Sequence, residues 1–328
     1  MNRFMAFLLL AAFSLTAGIC APQSGNPTGS VWLNGREYVR FSEWAKLRGV
    51  KVAWLQRDET LQAVSSSFRF EAKVDSSQAR INGVELWLCF PVLARNGAIY
   101  LSRLDLNATL LPLLSPPRMR TGQKIKTICL DPGHGGKDPG FRVGAIEEQK
   151  HTLLLAEEVR RLLTQAGFKV MLTRTSDRFV DLPDRADLAR RKKADVFISL
   201  HYNATENSRS VQGSEVYCLT PAGAFSTNAG RGQGDSGGCP GNQSDSFNIL
   251  LAYHLQAALT RGLSVSDRGV RRARFAVLRE TRMPAALVEA GFLSHPAEGR
   301  RIIDPNYRRQ VAKAILQGLQ AYQKAVGG

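Results

Sequence analysis

From Lys126 onward, short runs of nearly unbroken apolar residues alternate with longer segments of helical periodicity. The runs are "KTICLD" (126–131), "KVMLTRT" (169–175), "DVFISL" (195–200), "SEVYCL" (214–219), "FAVLRE" (275–280) and "AALVEAGF" (285–292). Between and after them lie "EEQKHTLLLAEEVRRLLTQAG", "LPDRADLARRKKA", "SFNILLAYHLQAALTRGL" and "PNYRRQVAKAILQGLQAYQKA". In the first of these, Leu155, Val159, Leu162, Leu163 and Ala166 share one helical face, and Gly167 ends it. A strand apolar at every position is buried on both faces, so helices must cover it from both sides. The pattern predicts an α/β unit over 125–328 with a mostly parallel twisted sheet flanked by helices on both faces.

The preceding residues differ in kind. "MNRFMAFLLLAAFSLTAGICAP" has one early cation, Arg3, then an apolar core and small residues, which reads as a secretory signal peptide over 1–21. Ala17-Gly18-Ile19 before Cys20 makes a poor lipid-attachment site. No other segment looks transmembrane, so the expected location is the periplasm or cell envelope, or outside the cell. Residues 22–29 are a Pro/Gly/Ser/Asn-rich linker, and "SPPRMRTGQK" (115–124) is a second, basic one. Between them, 30–114 reads as a small α+β domain with Asn-Gly hairpin turns at 34–35, 82–83 and 96–97. This segment resembles the copper amine oxidase N-terminal-like domain of secreted bacterial proteins. It contains no histidine, so no metal is expected there.

Net charge is +16, which asks for an anionic partner such as a wall polymer, lipid headgroups or nucleic acid. No basic motif interleaved with aromatics occurs, so nucleic acid is not an expected partner. The clusters at 190–193 and 271–274 read as solvated faces. Five cysteines include no CxxC pair, which argues against a cysteine-based zinc site. Cys218 and Cys239 flank a Gly/Ser/Asn-rich loop (220–244) and are the best-placed pair for a disulfide; Cys129 reads as a buried thiol.

In open α/β sheets, function collects at the carboxyl ends of the strands. Here those ends carry Asp131-Pro132-Gly133-His134, Leu200-His201-Tyr202-Asn203 and Val288-Glu289-Ala290-Gly291, and the first helix opens with Glu147-Glu148. Two histidines and a carboxylate with a position left open form a ligand set for catalytic zinc. A lone strand-end histidine is more often a turn or core residue, and Glu148 alone suits a helix first turn. Glu289 is harder to dismiss, because a carboxylate inside an apolar strand is costly without a cation. The Gly-rich loop after the first strand matches neither GxxxxGK[ST] nor GxGxxG, and no GxSxG is present.

With these motifs in order, residues from about Lys126 to the C-terminus resemble the zinc-dependent N-acetylmuramoyl-L-alanine amidases of the bacterial cell wall. The resemblance is carried by "LDPGHGGKDPG", an acid followed five residues on by Leu153, "VMLTRTSD", "LPDRADLA", "ADVFISLHYNA", "GSEVYCL" and "DRGVRRARFAVLRETRMPAALVEAGFLS". It implies His134, Glu148 and His201 as zinc ligands and Glu289 as catalytic acid/base. Spacing to Leu153 favours Glu148 over Glu147. It further implies hydrolysis of the amide joining the lactyl group of N-acetylmuramic acid to L-alanine, with peptidoglycan as partner and a monomeric enzyme; activation by another protein stays open. Asn203 and Arg174 are candidates for substrate contact or support of the site, with Arg174 alternatively paired to Asp177 or Asp184. His295 stands where the family more commonly has asparagine and reads as a surface or supporting residue. His151 and His254 read as structural.

Overall fold

The computed structural model describes residues 29–206, 208–227 and 235–327. The expected leader and Cys20 lie outside this range, as do residues 228–234 of the long loop.

The first elements are β1 (Ser30–Leu33), β2 (Arg36–Arg40), α1 (Phe41–Lys46), β3 (Lys51–Gln56), β4 (Thr60–Val64), β5 (Arg69–Lys73), β6 (Gln78–Ile81), β7 (Val84–Trp87), β8 (Leu93–Arg95) and β9 (Ala98–Ser102). Each Asn-Gly pair turns a hairpin, with both residues in the left-handed region: Asn34 and Gly35, Asn82 and Gly83, Asn96 and Gly97. Asparagine and glycine tolerate that region at least cost, and the resulting turn matches strand twist. α2 (Arg103–Asp105), a π-helical turn (Leu106–Leu110) and α3 (Leu111–Leu114) then run on as one helical stretch.

The remaining elements are β10 (Thr127–Pro132), β11 (Arg142–Val143), β12 (Ile146–Glu147), α4 (Glu148–Gln165), β13 (Lys169–Leu172), α5 (Leu182–Arg191), β14 (Val196–Asn203), β15 (Ser214–Leu219), a 3-10 turn (Pro240–Ser244), α6 (Asp245–Leu263), β16 (Asp267–Ala273), α7 (Ala276–Arg279), β17 (Ala285–Phe292), α8 (Pro296–Ile303) and α9 (Pro305–Gly327). The strands order as β13-β10-β14-β17-β15-β16 and continue without a break into β7-β6-β5-β4-β3. All pairs from β13 to β16 are parallel except β15 with β17. The two halves join where β16 and β7 pair in parallel, Val270 opposite Leu86. β1, β2, β9 and β8 form a separate four-stranded sheet.

Side-chain alternation splits the core. Ile128, Leu130, Val196, Ile198, Leu200, Ala286 and Val288 belong to one cluster with buried residues of α4, α6 and α9. Cys129, Phe197, Tyr217, Ala285 and Leu287 belong to another with Ala189 of α5 and Val277 and Leu278 of α7. Three long helices thus seal the first face, with α6 buried around most of its circumference. Two shorter helices cover the second, and the odd-numbered residues at the ends of β10, β14 and β17 point to that side. That uneven cover leaves the cleft described below.

Three expectations are corrected. "FAVLRE" is not a strand: it holds the short helix α7, and the strand in its place is the preceding "DRGVRRA". That strand hides its character because its arginines are paired rather than solvated. Arg272 is fully buried, donating to Ala108 O at 2.9 Å and Thr109 Oγ1 at 2.8 Å, so the 271–274 cluster is not a solvated face. Cys218 and Cys239 are free thiols; Cys218 is buried against Arg272, and Cys239 Sγ contacts Asn242.

Candidate active site

β10 ends in a loop that Gly133 and Gly140 allow to close tightly. A Cβ on Gly133 would stand 2.1 Å from the His201 ring, and one on Gly140 would stand 2.6 Å from Glu148 Oε2. Between them His134 adopts φ 63°, a left-handed conformation that turns the ring back across the strand ends. Two buried arginines hold the loop from beneath. Arg174 donates to the carbonyls of Pro132, Gly133 and Gln149 at 3.0, 2.8 and 2.7 Å. Arg185 reaches Asp131 Oδ1, Pro132 O and His134 O, each at 2.9 Å. Asp131 in turn accepts from Thr173 and Ser199. The loop's carbonyls therefore have partners, so the position of His134 is set by the core rather than by solvent.

The α4 N-terminus brings Glu148 between the two histidines. Its Oε2 is 3.0 Å from His134 Nε2, and its Oε1 is 3.0 Å from His201 Nδ1. The two rings stand 4.9 Å apart and nearly perpendicular. One donor atom from each of the three residues lies within 4.8 Å of the others, which makes them a group able to hold a metal ion. Asp138 Oδ2 sits 2.9 Å from His134 Nδ1. A carboxylate behind a histidine orients the ring and leaves the far nitrogen free to act as ligand. Burial alone would raise the Glu148 carboxyl, but hydrogen bonds from His134 and His201 outweigh it and hold the group below its ordinary value. For His134, burial opposes the charged form, and Glu148 and Asp138 overcome it, so its pKa is raised. A site this eager for positive charge suits a dication.

β14 and β17 pair with His201 opposite Glu289. Glu289 Oε2 is buried and has no hydrogen-bond partner among the described residues. Burial first, and then the charges of Glu148 and Glu215, push the Glu289 carboxyl well above the carboxylate range. An orphaned carboxyl oxygen beside a second acid is expensive without a cation nearby, so the residues present fit a bound metal. All four residues line one cleft of about 480 Å³, whose walls include Phe141, Phe179, Val180 and Phe275. None of the described residues of the 220–244 loop lines it. Ala224 of that loop packs instead with Tyr38, Phe90 and Tyr100.

The other candidates fall in distinct places. Glu147 turns away from the histidines to pair with Arg142 at 2.8 Å. Arg174 is 1% exposed and spends its donors on the loop beneath the cleft. Asn203 lines the cleft, but its Nδ2 donates to Glu215 Oε1 at 2.6 Å and its Oδ1 accepts from Ala204 N. His295 caps α8, accepting from Glu298 N. His151 and His254 are helical, and burial lowers both, His254 to about 4. Sequence reasoning missed Asp138, Arg185 and Glu215. Glu215 had the same signal as Glu289, an acid inside an apolar strand.

Residues 128–321 match the family model described as N-acetylmuramoyl-L-alanine amidase. Among curated relatives, N-acetylmuramoyl-L-alanine amidase AmiC of Neisseria meningitidis is 36% identical over 63% of this chain and 55% of its own length. The probable cell wall amidase LytH of Staphylococcus saprophyticus is 35% identical over 61% and 59%. The chain thus spans less than two thirds of either. Among solved structures, amidase AmiC2 of Nostoc punctiforme aligns with a TM-score of 0.52 at 31% identity, covering 62% of this chain and 99% of that one. An amidase from Clostridium difficile aligns with a TM-score of 0.51 at 33% identity, covering 62% and 98%.

Proposed function

The chain belongs to the N-acetylmuramoyl-L-alanine amidase family through residues 128–321, and on that premise we propose that it is a zinc-dependent peptidoglycan hydrolase. The scissile bond is the amide between the lactyl group of N-acetylmuramic acid and L-alanine of the stem peptide. The observation that carries this reading is the His134–Glu148–His201 donor set sharing a cleft with the orphaned Glu289 carboxyl.

His134, Glu148 and His201 would hold the zinc. When bound, zinc supplies a Lewis acid for the carbonyl and acidifies the attacking water. Glu289 takes the proton of that water and delivers it to the departing amine of L-alanine. Its place opposite His201 on the neighbouring strand sets its carboxyl in the same cleft as the three donors. Asp138 keeps the His134 ring oriented, and Arg174 and Arg185 keep the loop in place. The apolar walls exclude water around the amide and strengthen these charges.

The division into an accessory unit (30–114), a linker (115–124) and a catalytic unit (125–328) is part of the same reading, with the first unit resembling the copper amine oxidase N-terminal-like domain. The enzyme acts as a monomer in the periplasm or cell envelope. No helix among the described residues is long and apolar enough to cross a membrane. Dialysis against a chelator is expected to abolish hydrolysis, and Zn²⁺ to restore it, with metal analysis finding a single equivalent. Full activity in protein shown to be metal-free would contradict the assignment.

A further inference from the structure

One row of side chains crosses the joined sheet. His201 on β14 opposes Glu289 on β17, and Glu289 opposes Glu215 on β15. Tyr217, on the same face as Glu215, opposes Arg271 on β16. β7 lies next, with Leu86 opposite Val270, which brings Trp87 beside Arg271.

The contacts in this row are specific. Glu215 is 2% exposed. Its Oε1 accepts from Asn203 Nδ2 at 2.6 Å and from Tyr217 OH at 2.9 Å. Its Oε2 accepts from Arg268 Nε at 2.9 Å and forms an ion pair with Arg271, whose Nε stands 2.9 Å away outside hydrogen-bond geometry. The Arg271 guanidinium carbon stands 4.8 Å from the centre of the Trp87 ring, and Trp87 Nε1 donates to the Arg268 carbonyl at 3.4 Å. A single indole from the N-terminal half therefore touches both cationic partners of a buried acid that holds Asn203, a residue of the cleft lining. Trp87 lies outside the matched family segment.

Two buried carboxylates on facing strands repel each other unless neutralised. Arg268 and Arg271 neutralise Glu215. An Arg271 released to solvent would leave Glu215 short of a partner, and the acid would then pull Asn203 or strain against Glu289. We propose that Trp87 is a positioning residue for the catalytic cleft, holding Arg271 on Glu215 so that Glu215 keeps Asn203 and Glu289 in place. The N-terminal sheet then braces the active site rather than only spacing it. This inference rests on the amidase reading.

The test uses the full mature chain and a soluble muropeptide, so that loss of wall binding is not what is read. Trp87→Ala is expected to lower kcat on the order of tenfold, the scale of one partly desolvated cation–π contact, with KM and zinc content unchanged. Trp87→Phe keeps an aromatic face and should restore kcat to near wild type. The Asn203 side-chain amide resonance, identified by its loss in Asn203→Asp, should shift in Trp87→Ala and stay put in Trp87→Phe. Leu55→Ser, on the exposed edge strand β3, should change neither. If Trp87→Ala does not fold, Arg271→Lys decides, with the same fall in kcat expected. Unchanged kcat and an unmoved Asn203 signal in the folded variant would overturn the proposal, as would a phenylalanine as harmful as alanine. An inactive wild type would sink the amidase reading instead, while the Asn203 signal would still report on the brace.

Discussion

Glu289→Gln is expected to reduce amide hydrolysis by about 10²–10⁴-fold while the protein still binds added zinc. The substitution preserves shape and removes the carboxyl group's capacity to accept and return a proton. Because Glu289 is not among the three grouped donors, metal content should match wild type. The same change should stabilise the metal-free protein. The folded-state pKa of Glu289 lies above its ordinary value of 4.5, so the folded state binds its proton more tightly than the unfolded state does. Its contribution is fully present below pH 4.5 and is lost as pH rises through the higher folded value. Metal-free wild type should therefore weaken as pH climbs out of the acid range, and Glu289→Gln should flatten that decline. Thermal melts of both proteins across pH, beside rates and metal analysis, check each part. A variant that hydrolyses at the wild-type rate would remove Glu289 from the chemistry.

His134→Ala and His201→Ala should each empty the metal site and abolish activity. Each removes one of three donors and leaves the buried Glu148 carboxyl without one of its two imidazole partners. The clearest readout is the melting shift on adding zinc. A ligand that binds only the folded state stabilises it by about 2.7 kcal/mol at a hundredfold excess over its Kd. Wild type should show such a shift and both variants should lose it. A zinc-dependent shift of wild-type size in both alanine variants would place the metal elsewhere.

The site was more legible than the sheet that carries it. His134 and His201 stand out because each lies at the carboxyl end of an apolar run, and Glu289 because it interrupts one. The same logic applied to "SEVYCL" would have found Glu215, whose partners come from other strands and leave no mark near it in sequence. β16 stayed hidden because its strand period is written in arginines, one buried against a carbonyl and a hydroxyl and two paired with Glu215. "FAVLRE" has the composition of a strand and forms a helical turn, because the sheet position it would take is already filled by β16. Likewise, nothing local announces that β7 pairs with β16. That contact joins residues 86 and 270, and periodicity reports only what is near in sequence. The Asn-Gly hairpins were legible for the opposite reason, since their geometry is set by the two residues themselves.

The most direct measurement is mass spectrometry of muropeptides after incubation with the zinc-loaded mature protein, with Glu289→Gln in parallel. Free stem peptide beginning at L-alanine is expected together with glycan bearing free lactyl carboxylates, and neither product from the variant. Cleavage between two amino acids of the stem, with the lactyl amide intact, would contradict the amidase reading.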